Sequence, residues 1–295
     1  MELGMIGLGR MGANMTERLL RGGHRVVSYD RSSQAVQSVV GKGASAAESL
    51  EALAVALRVP RVVWLMVPSG DPVIPYLKRD DVIVDGGNSN YKDTLRRAAM
   101  LKEKSVHYVD VGTSGGIWGL TEGYSLMVGA DREVVERLTP IFQTLAPAPD
   151  RGWGHVGPSG AGHFVKMIHN GIEYGLMQSF AEGFAIMEHK AEFKLDLLQI
   201  AEIWRHGSVV RSWLLDLIAK ALAENPNLRG IRPYVEDSGE GRWTVAEAVD
   251  LEVSAPVITL SLLERLRSRD QDSFTDKLLA MMRHQFGGHP LKEKK

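Results

Sequence analysis

The stretch LGMIGLGRMG, residues 3–12, carries the pattern from which the fold of this chain is predicted. Its apolar first half predicts a short buried strand at residues 3–8, and a helix is predicted directly behind it at residues 11–21. Between them the glycines have the G-x-G-x-x-G spacing, in which the first allows a tight turn, the second lets the backbone approach a pyrophosphate and the third lets helix and strand pack closely. The free N–H groups of the helix start favour phosphate. A dinucleotide-binding turn is therefore predicted, formed by Gly7, Leu8, Gly9, Arg10, Met11 and Gly12.

The next predicted strand, residues 25–29, ends in Asp30, 18 residues beyond Gly12. An acid at this position hydrogen-bonds the adenosine ribose hydroxyls and repels a 2′-phosphate, which favours NAD. Arg31 follows directly and could stack on adenine or reach a 2′-phosphate. We therefore predict NAD as the cofactor, with NADP possible.

Further predicted strands end in polar or glycine-rich loops. The apolar run at residues 61–67 is typical of a parallel strand buried on both faces, and Val67 and Pro68 at its end are assigned to the cofactor site. The strand at 81–84 leads into a loop with Asn88, and the strand at 106–111 leads into Ser114, Gly115 and Gly116. Because ligands of doubly wound sheets lie at the carboxyl ends of the strands, we expect these loops to share one rim.

Residues 157–160, GPSG, separate this pattern from a chain dominated by helical periodicity. We therefore predict an α/β fold with an N-terminal Rossmann-type doubly wound sheet at residues 1–157, followed by an all-α C-terminal domain at residues 158–295. Helices are predicted at 160–178, 195–205, 209–224 and 244–251, with a further pair between 255 and 286. Residues 226–238 are predicted to form an irregular loop.

The first helix of this second part, at residues 160–178, places polar side chains on one side. Five of them stand at offsets of 0, +3, +4, +7 and +8, which share one face of a helix: Lys166, His169, Asn170, Glu173 and Tyr174. A stripe of this kind also occurs on ordinary solvated helices. The stripe becomes a candidate active site only together with the loops of the sheet.

Composition excludes several classes of protein. The chain has 35 basic and 36 acidic residues, so no overall field favours nucleic acid or an anionic membrane. It lacks an apolar run long enough for a transmembrane helix and begins without a secretion signal, so no membrane partner is expected. With no cysteine and no metal-like histidine pairing, no metal site is predicted. These features suit a cytoplasmic enzyme.

The quoted residues resemble the 6-phosphogluconate dehydrogenase family, within the larger group of β-hydroxyacid dehydrogenases, over essentially the whole chain. The resemblance rests on GLGRMG at 7–12, DGGNS at 85–89, GTSGG at 112–116, KMIHNGIEYGLMQ at 166–178, GRWT at 241–244 and FGGH at 286–289. The related 3-hydroxyacid dehydrogenases have K-x-x-N-N where this chain has K-x-x-H-N at 166–170. That difference points to the phosphogluconate branch.

The resemblance implies oxidative decarboxylation of 6-phosphogluconate to ribulose 5-phosphate and carbon dioxide in the pentose phosphate pathway. It implies Lys166 as the base and Glu173 as the acid, without a metal. It also implies a homodimer or homotetramer, since in long family members the C-terminal tail reaches the neighbouring subunit. The implied substrate ligands are Asn88, Ser114, Gly115, Gly116, His169 and Asn170, with Tyr174, Arg242, Thr244, Arg265, Arg283 and His289 around the phosphate. Asn88 would also contact the nicotinamide.

The chain departs from long family members in three respects. Its helical part matches one copy of a unit that is doubled in the long form, Arg242 stands in place of a lysine, and Ile117 stands where a glutamate is common. Two alternatives stay open on sequence grounds. One is a dehydrogenase of another small 3-hydroxy acid, against which His169 and the arginines argue. The other is a non-catalytic dinucleotide-sensing protein, against which Lys166 and Glu173 argue.

Overall fold

The computed structural model describes residues 1–67, 74–288 and 290–292. The chain divides into two compact units, Met1–Asn170 and Gly171–Lys295. The predicted change of domain at residue 157 or 158 stays a prediction, because the division between the compact units falls inside a long helix.

Unit 1 contains a mainly parallel sheet, which confirms the predicted fold class. Its order is β3-β2-β1-β4-β5-β6-β7-β8, and every neighbouring pair is parallel except β6 and β7. The strands are β1 (Glu2–Ile6), β2 (Arg25–Tyr29), β3 (Ser45–Ala46), β4 (Val62–Leu65), β5 (Val82–Asp85), β6 (His107–Ser114), β7 (Ser125–Gly129) and β8 (Trp153–Gly157).

Helices cover both faces of this sheet. They are α1 (Arg10–Arg21), α2 (Ser33–Val40), α3 (Leu50–Ala56), α4 (Tyr91–Glu103), the single turn α5 (Gly119–Glu122) and α6 (Arg132–Leu145). Side chains of one strand alternate between two apolar cores: Trp64 of β4 packs in the core with α1 and α6, while Val63 packs in the core with α3 and α4. Strand periodicity therefore places an apolar residue on each face.

Unit 2 is helical and begins within α7 (Ala161–His189). It continues through α8 (Leu197–Arg205), α9 (Trp213–Glu224), α10 (Glu240–Asp250), α11 (Pro256–Arg267) and α12 (Phe274–Gly287). A small core forms where α8 and α9 pack together, with Ala201, Leu215, Ala219 and Leu222 buried in it. Phe184 of α7 packs edge-to-face on Trp204 of α8, with ring centroids 5.8 Å apart. Residues 226–238 are irregular, as predicted.

Several predicted boundaries were wrong, each for a local reason. β1 ends at Ile6 because Gly7 has a φ of +92° and starts the turn. α3 begins at Leu50 after its cap Ser49, and Ser45–Ala46 adds an edge strand that the sequence analysis did not predict. α9 likewise begins after its cap Ser212 rather than at residue 209. α10 begins one turn earlier than predicted, so Arg242 and Thr244 lie within it.

Candidate active site

The glycine turn after β1 has the geometry that a dinucleotide needs. Gly7 occupies the left-handed region, and a Cβ on Gly12 would lie 2.0 Å from the carbonyl oxygen of Gly7, so helix α1 can approach the strand only with glycine there. Gly9 is exposed, and a Cβ on it would meet no described atom within 4 Å. Gly9 also caps α1 without a side-chain bond, so the first-turn N–H groups of Arg10, Met11 and Gly12 receive no capping side chain from it. The turn therefore fits a pyrophosphate.

Asp30 binds the turn from the end of β2. One carboxylate oxygen accepts a hydrogen bond from the backbone N–H of Leu8 at 2.6 Å, and the other accepts from the N–H of Ser32 at 2.8 Å. The acid is half-buried, while Arg31 beside it is exposed. A carboxylate fixed in this way keeps lone pairs for ribose hydroxyls and repels a 2′-phosphate.

The loop after β5 is organised by a buried acid that the sequence analysis did not single out. Asp85 accepts hydrogen bonds from the backbone N–H of Gly87 at 3.0 Å, the hydroxyl of Ser89 at 2.9 Å and the hydroxyl of Tyr108 at 2.7 Å. Arg97 of α4 lies 3.7 Å from the same carboxylate. Burial and this carboxylate raise the pKa of the Tyr108 hydroxyl. The network fixes both sides of Asn88, whose own side chain is exposed.

Of the two other predicted loops, the one after β4 is only partly described. Val67 follows β4 and packs partly buried against one sheet core, whereas Pro68 lies outside the described residues. Ser114 is the last residue of β6, because the strand runs three residues further than predicted and pairs with β7. Gly115 and Gly116 then have φ values of +129° and +52°, which glycine adopts without strain.

The start of α7 is held by a second buried acid, Asp110 of β6. Its two oxygens accept hydrogen bonds from the backbone N–H groups of Gly160 at 2.6 Å and His163 at 2.8 Å, so it neutralises the positive end of the helix. His163 is buried, and its ring also meets the Thr94 hydroxyl at 2.7 Å. Burial raises the pKa of Asp110 despite these bonds.

Three predicted site residues lie together on the part of α7 that belongs to unit 1. Lys166 Nζ is 3.4 Å from His169 Nδ1, and His169 Nδ1 is 3.0 Å from Asn170 Oδ1. With the proton on Nδ1 the imidazole donates to Asn170, and with Nδ1 unprotonated it accepts from the lysine. The imidazole of His169 thus lies between the amine of Lys166 and the side-chain amide of Asn170.

Close packing brings these residues to β6. A Cβ on Gly112 would lie 2.5 Å from both the carbonyl oxygen of Gly162 and the Cβ of Lys166. A Cβ on Gly162 would lie 2.4 Å from the carbonyl oxygen of Met127. Two glycines thus let the helix approach the strand that ends in Ser114.

In unit 2, Tyr174 is the centre of the predicted phosphate ligands. The guanidinium of Arg265 lies over the Tyr174 ring, 3.6 Å from its centroid. The Tyr174 hydroxyl accepts a hydrogen bond from the N–H of Ser238 at 3.3 Å. Thr244 is buried and donates to the carbonyl oxygen of Glu240, while Arg242 is exposed on the same helix. Glu173 precedes Tyr174 on α7 and is half-buried.

Two predicted ligands are not joined to this group. Arg283 lies exposed on α12, and no hydrogen bond or ion pair links its guanidinium to another residue in the described part of the chain. His289 lies outside the described residues. The described residues contain no cluster of three potential metal-binding acids and histidines, and none of their helices is long and apolar enough to cross a membrane.

Sequence reasoning did not single out three acids with several hydrogen-bond donors around them: Asp85, Asp110 and Asp237, the last of which accepts from Arg242 and Arg269. A usable signal existed for two of them. Asp85 and Asp110 both stand within or at the end of otherwise apolar strands, IVD and YVDV, where a carboxylate requires buried donors. Asp237 lies in the irregular segment before α10, where no periodicity distinguishes it.

Comparisons with known proteins cover both units. Residues 2–156 match the NAD binding domain of 6-phosphogluconate dehydrogenase, and residues 162–284 match the C-terminal domain of the same enzyme. An NAD(+)-dependent, decarboxylating 6-phosphogluconate dehydrogenase of Haloferax volcanii is 44% identical over 302 residues, covering 100% of this chain and 99% of the relative. An NAD(+)-dependent, decarboxylating enzyme of Bacillus subtilis is 38% identical over 90% of this chain, which spans 61% of that longer protein.

A solved structure shows the same relationship. The 6-phosphogluconate dehydrogenase of Plasmodium falciparum superposes with a TM-score of 0.83 at 27% identity, covering 100% of this chain and 66% of that one. The family's domains match more than half of the chain, and the Haloferax volcanii enzyme matches its full length. The chain belongs to the 6-phosphogluconate dehydrogenase family.

Proposed function

We propose that this chain converts 6-phospho-D-gluconate to D-ribulose 5-phosphate and carbon dioxide, with NAD as the preferred hydride acceptor and NADP as a possible one. The observation that carries the proposal is the full-length similarity to the NAD(+)-dependent, decarboxylating enzyme of Haloferax volcanii, at 44% identity. The contact between Lys166 and His169 and the buried loop network around Asn88 support it.

In this proposal Lys166 is the general base. It accepts the proton of the substrate's C3 hydroxyl, for which the amine has to be neutral when it acts. NAD, when bound, supplies the acceptor for the hydride that leaves C3. The charged Lys166 then returns its proton to the oxygen of the new ketone. The electrons of the bond between C2 and the carboxylate carbon move toward that ketone, the bond breaks and carbon dioxide leaves.

Glu173 is proposed as the acid that completes the reaction. The enediol left after decarboxylation needs a proton on the carbon that carried the carboxylate, and a carboxyl group seven residues from Lys166 on one helix is the family's candidate. Ser114, Gly115, Gly116, His169 and Asn170 are proposed to bind the carboxylate and hydroxyls, and Asn88 to contact substrate and nicotinamide. Because a lysine proton polarises the ketone, the proposed mechanism uses no metal.

The phosphate is proposed to bind in the helical unit. Tyr174, Arg242, Thr244 and Arg265 belong to that unit, and guanidinium groups suit a phosphate dianion because they donate two hydrogen bonds in one plane. Arg283 and His289 are proposed as ligands supplied across a homodimer or homotetramer. A cytoplasmic location and a role in the pentose phosphate pathway stay predictions.

The experiment that tests the proposal measures initial rates of nicotinamide reduction with 6-phosphogluconate, with NAD and NADP in parallel and ribulose 5-phosphate assayed as product. We expect turnover to ribulose 5-phosphate with a higher kcat/KM for NAD, because Asp30 repels a 2′-phosphate. Lys166→Met should lose at least about a thousandfold in kcat and still bind NAD. Retained turnover in that variant, or none in the wild type, would contradict the proposal.

A further inference from the structure

The segment 236–239 in front of α10 contacts several side chains proposed to bind phosphate. Arg265 donates to the carbonyl oxygen of Glu236 at 2.9 Å, and the N–H of Ser238 donates to the hydroxyl of Tyr174 at 3.3 Å. Side chains that are far apart in the sequence are thus joined through four consecutive residues. The remaining acid of the segment, Asp237, makes the largest number of these contacts.

Asp237 binds two arginines at once. It accepts hydrogen bonds from Arg242 Nε at 3.2 Å and Nη2 at 3.1 Å, from Arg269 Nη2 at 2.8 Å and from the backbone N–H of Gly239 at 2.9 Å. Its side chain is 6% exposed, whereas that of Arg242 is 49% exposed. The hydrogen bond from Arg242 holds the pKa of Asp237 below its usual value, with further lowering by Gly239 and Arg269. The acid therefore stays charged at neutral pH.

The geometry leaves Arg242 oriented but available. Its Nε and Nη2 edge is bound to Asp237, while half of the side chain faces solvent. A guanidinium can be held along one edge and still present donors elsewhere, because its five N–H donors lie in one plane. Asp237 therefore holds one edge of Arg242 in place while the rest of the guanidinium stays accessible.

Arg269 adds a positive charge beside the Arg242–Asp237 pair, which suits the binding of an anion. It binds Asp237 and the carbonyl oxygen of Val235 at 3.0 Å, and it lies over the ring of Tyr234. One carboxylate is thus shared by two guanidinium groups, and Arg265 adds a third cation beside the same segment. The four side chains keep an excess of positive charge.

We propose that Asp237 is a positioning residue of the phosphate site, which holds Arg242 in a binding conformation with Arg269 as its second partner. The inference rests on the proposed function and extends it to two residues outside the implied ligand set. Restricting Arg242 before the substrate arrives reduces the entropy lost on binding. Loss of the acid should therefore weaken binding of the phosphorylated substrate and leave the chemical step unchanged.

The test compares Asp237→Asn with the wild type and with a matched control. Asp216→Asn is the control, because Asp216 accepts a hydrogen bond from Arg205 at 2.7 Å on a half-exposed surface of the same unit. The readouts are kcat, KM for 6-phosphogluconate, KM for NAD and the thermal midpoint. We expect Asp237→Asn to raise KM for 6-phosphogluconate about tenfold, with kcat and KM for NAD within about twofold of the wild type. The control should change none of them.

Arg269 gives a second, independent approach if Asp237→Asn does not fold. Arg269→Gln should raise KM for 6-phosphogluconate in the same way, and Arg269→Lys should restore part of it because a cation remains. In the double variant Asp237→Asn with Arg269→Gln, the two effects should not add, since both act through the position of Arg242.

The outcomes separate the possible failures. An unchanged or lower KM for 6-phosphogluconate in Asp237→Asn would overturn the inference, because the acid would then be inert or in competition with phosphate. A lower kcat together with a higher KM for NAD and a lower thermal midpoint would also overturn it, because the role of Asp237 would then be purely structural. Absence of turnover in the wild type would instead overturn the proposed function itself.

Discussion

Asp85 shows how one buried carboxylate can orient a loop of the site. Three neutral donors and the Arg97 guanidinium surround it, and the loop that it holds carries Asn88. A buried charge of this kind is tolerated only because its lone pairs are satisfied. The role of Asp85 is therefore to fix the backbone on both sides of a residue that itself faces solvent.

Asp85→Asn should destabilise unit 1 substantially. The new amide group offers two donors where Ser89 and Tyr108 already donate, and Arg97 loses its counter-charge. We expect the free energy of unfolding to fall by about 2–4 kcal/mol. Chemical denaturation followed by circular dichroism measures this loss. The matched control is Asp150→Asn, whose exposed pair with Arg151 should leave the midpoint unchanged. Equal midpoints for both variants would contradict the assigned role.

At the scale of elements, the packing of α7 on β6 positions Lys166. Glycines on both elements remove the side chains that would otherwise separate them, so the helix backbone lies against the strand at Gly112 and Gly162. Asp110 then binds the first N–H groups of the helix. The position of the proposed base along and around the helix axis follows from these contacts.

Gly112→Ala should displace the helix. Its Cβ would lie 2.5 Å from Lys166 Cβ and from the Gly162 carbonyl oxygen, so one of the two elements has to move. We expect a loss of about 1–3 kcal/mol in stability together with a lower kcat. Denaturation and steady-state kinetics measure the two effects. Gly154→Ala on β8 is the control, since its Cβ would meet no described atom within 4 Å and both values should stay near wild type.

Asp110 predicts a pH dependence of stability. Burial raises its pKa in the folded state, so between the unfolded value of about 3.9 and that raised value the folded chain binds more protons. The contribution of this group therefore increases stability as pH falls through that window and decreases it as pH rises. The unfolding free energy of the wild type minus that of Asp110→Asn should rise as pH is lowered from 7, and it should level off below about 4. A difference that is constant with pH would refute this assignment.

At the scale of the whole molecule, the helical unit has a small apolar core and many exposed apolar side chains. Large apolar side chains on two helices are at least 47% exposed: Val257, Leu260 and Leu263 on α11, and Phe274, Leu278 and Leu279 on α12. Apolar side chains exposed in such numbers are typical of an interaction site. We expect these side chains to be covered in the homodimer or homotetramer that the resemblance implies.

Light scattering after size exclusion should therefore give a mass of two or four times the 32.5 kDa chain. Leu260→Glu on α11 and, separately, Leu279→Glu on α12 should shift this mass toward the monomer, because each places a charge in an apolar contact. Val55→Glu on α3 is the control, since Val55 is 76% exposed on the other unit and should leave the mass unchanged. An active wild-type monomer at assay concentration would contradict the expected assembly.

Local sequence signals predicted the elements well and the connections between them less well. The strand at residues 25–29 was predicted correctly because β-branched Val26 and Val27 favour a strand and the polar residues from Asp30 onward end it. The early start of α10 was missed because Gly239 and Gly241 obscure its first turn, although Gly241 is needed there for the ring of Tyr174, 2.5 Å from its Cβ position. The edge strand β3 was missed because its two residues pair only with a neighbour in space.

The sequence alone predicted the α/β fold class and the dinucleotide turn at Gly7, Gly9 and Gly12, because both follow from short-range spacing and local conformation, and its motifs carried the resemblance to the family. Only the packed fold showed which donors surround the three acids. Asp85, Asp110 and Asp237 find their donors 2 to 53 residues away, mostly through strand and helix packing. No local pattern specifies such partners, because the free energy of a buried carboxylate depends on which groups the completed fold places around it.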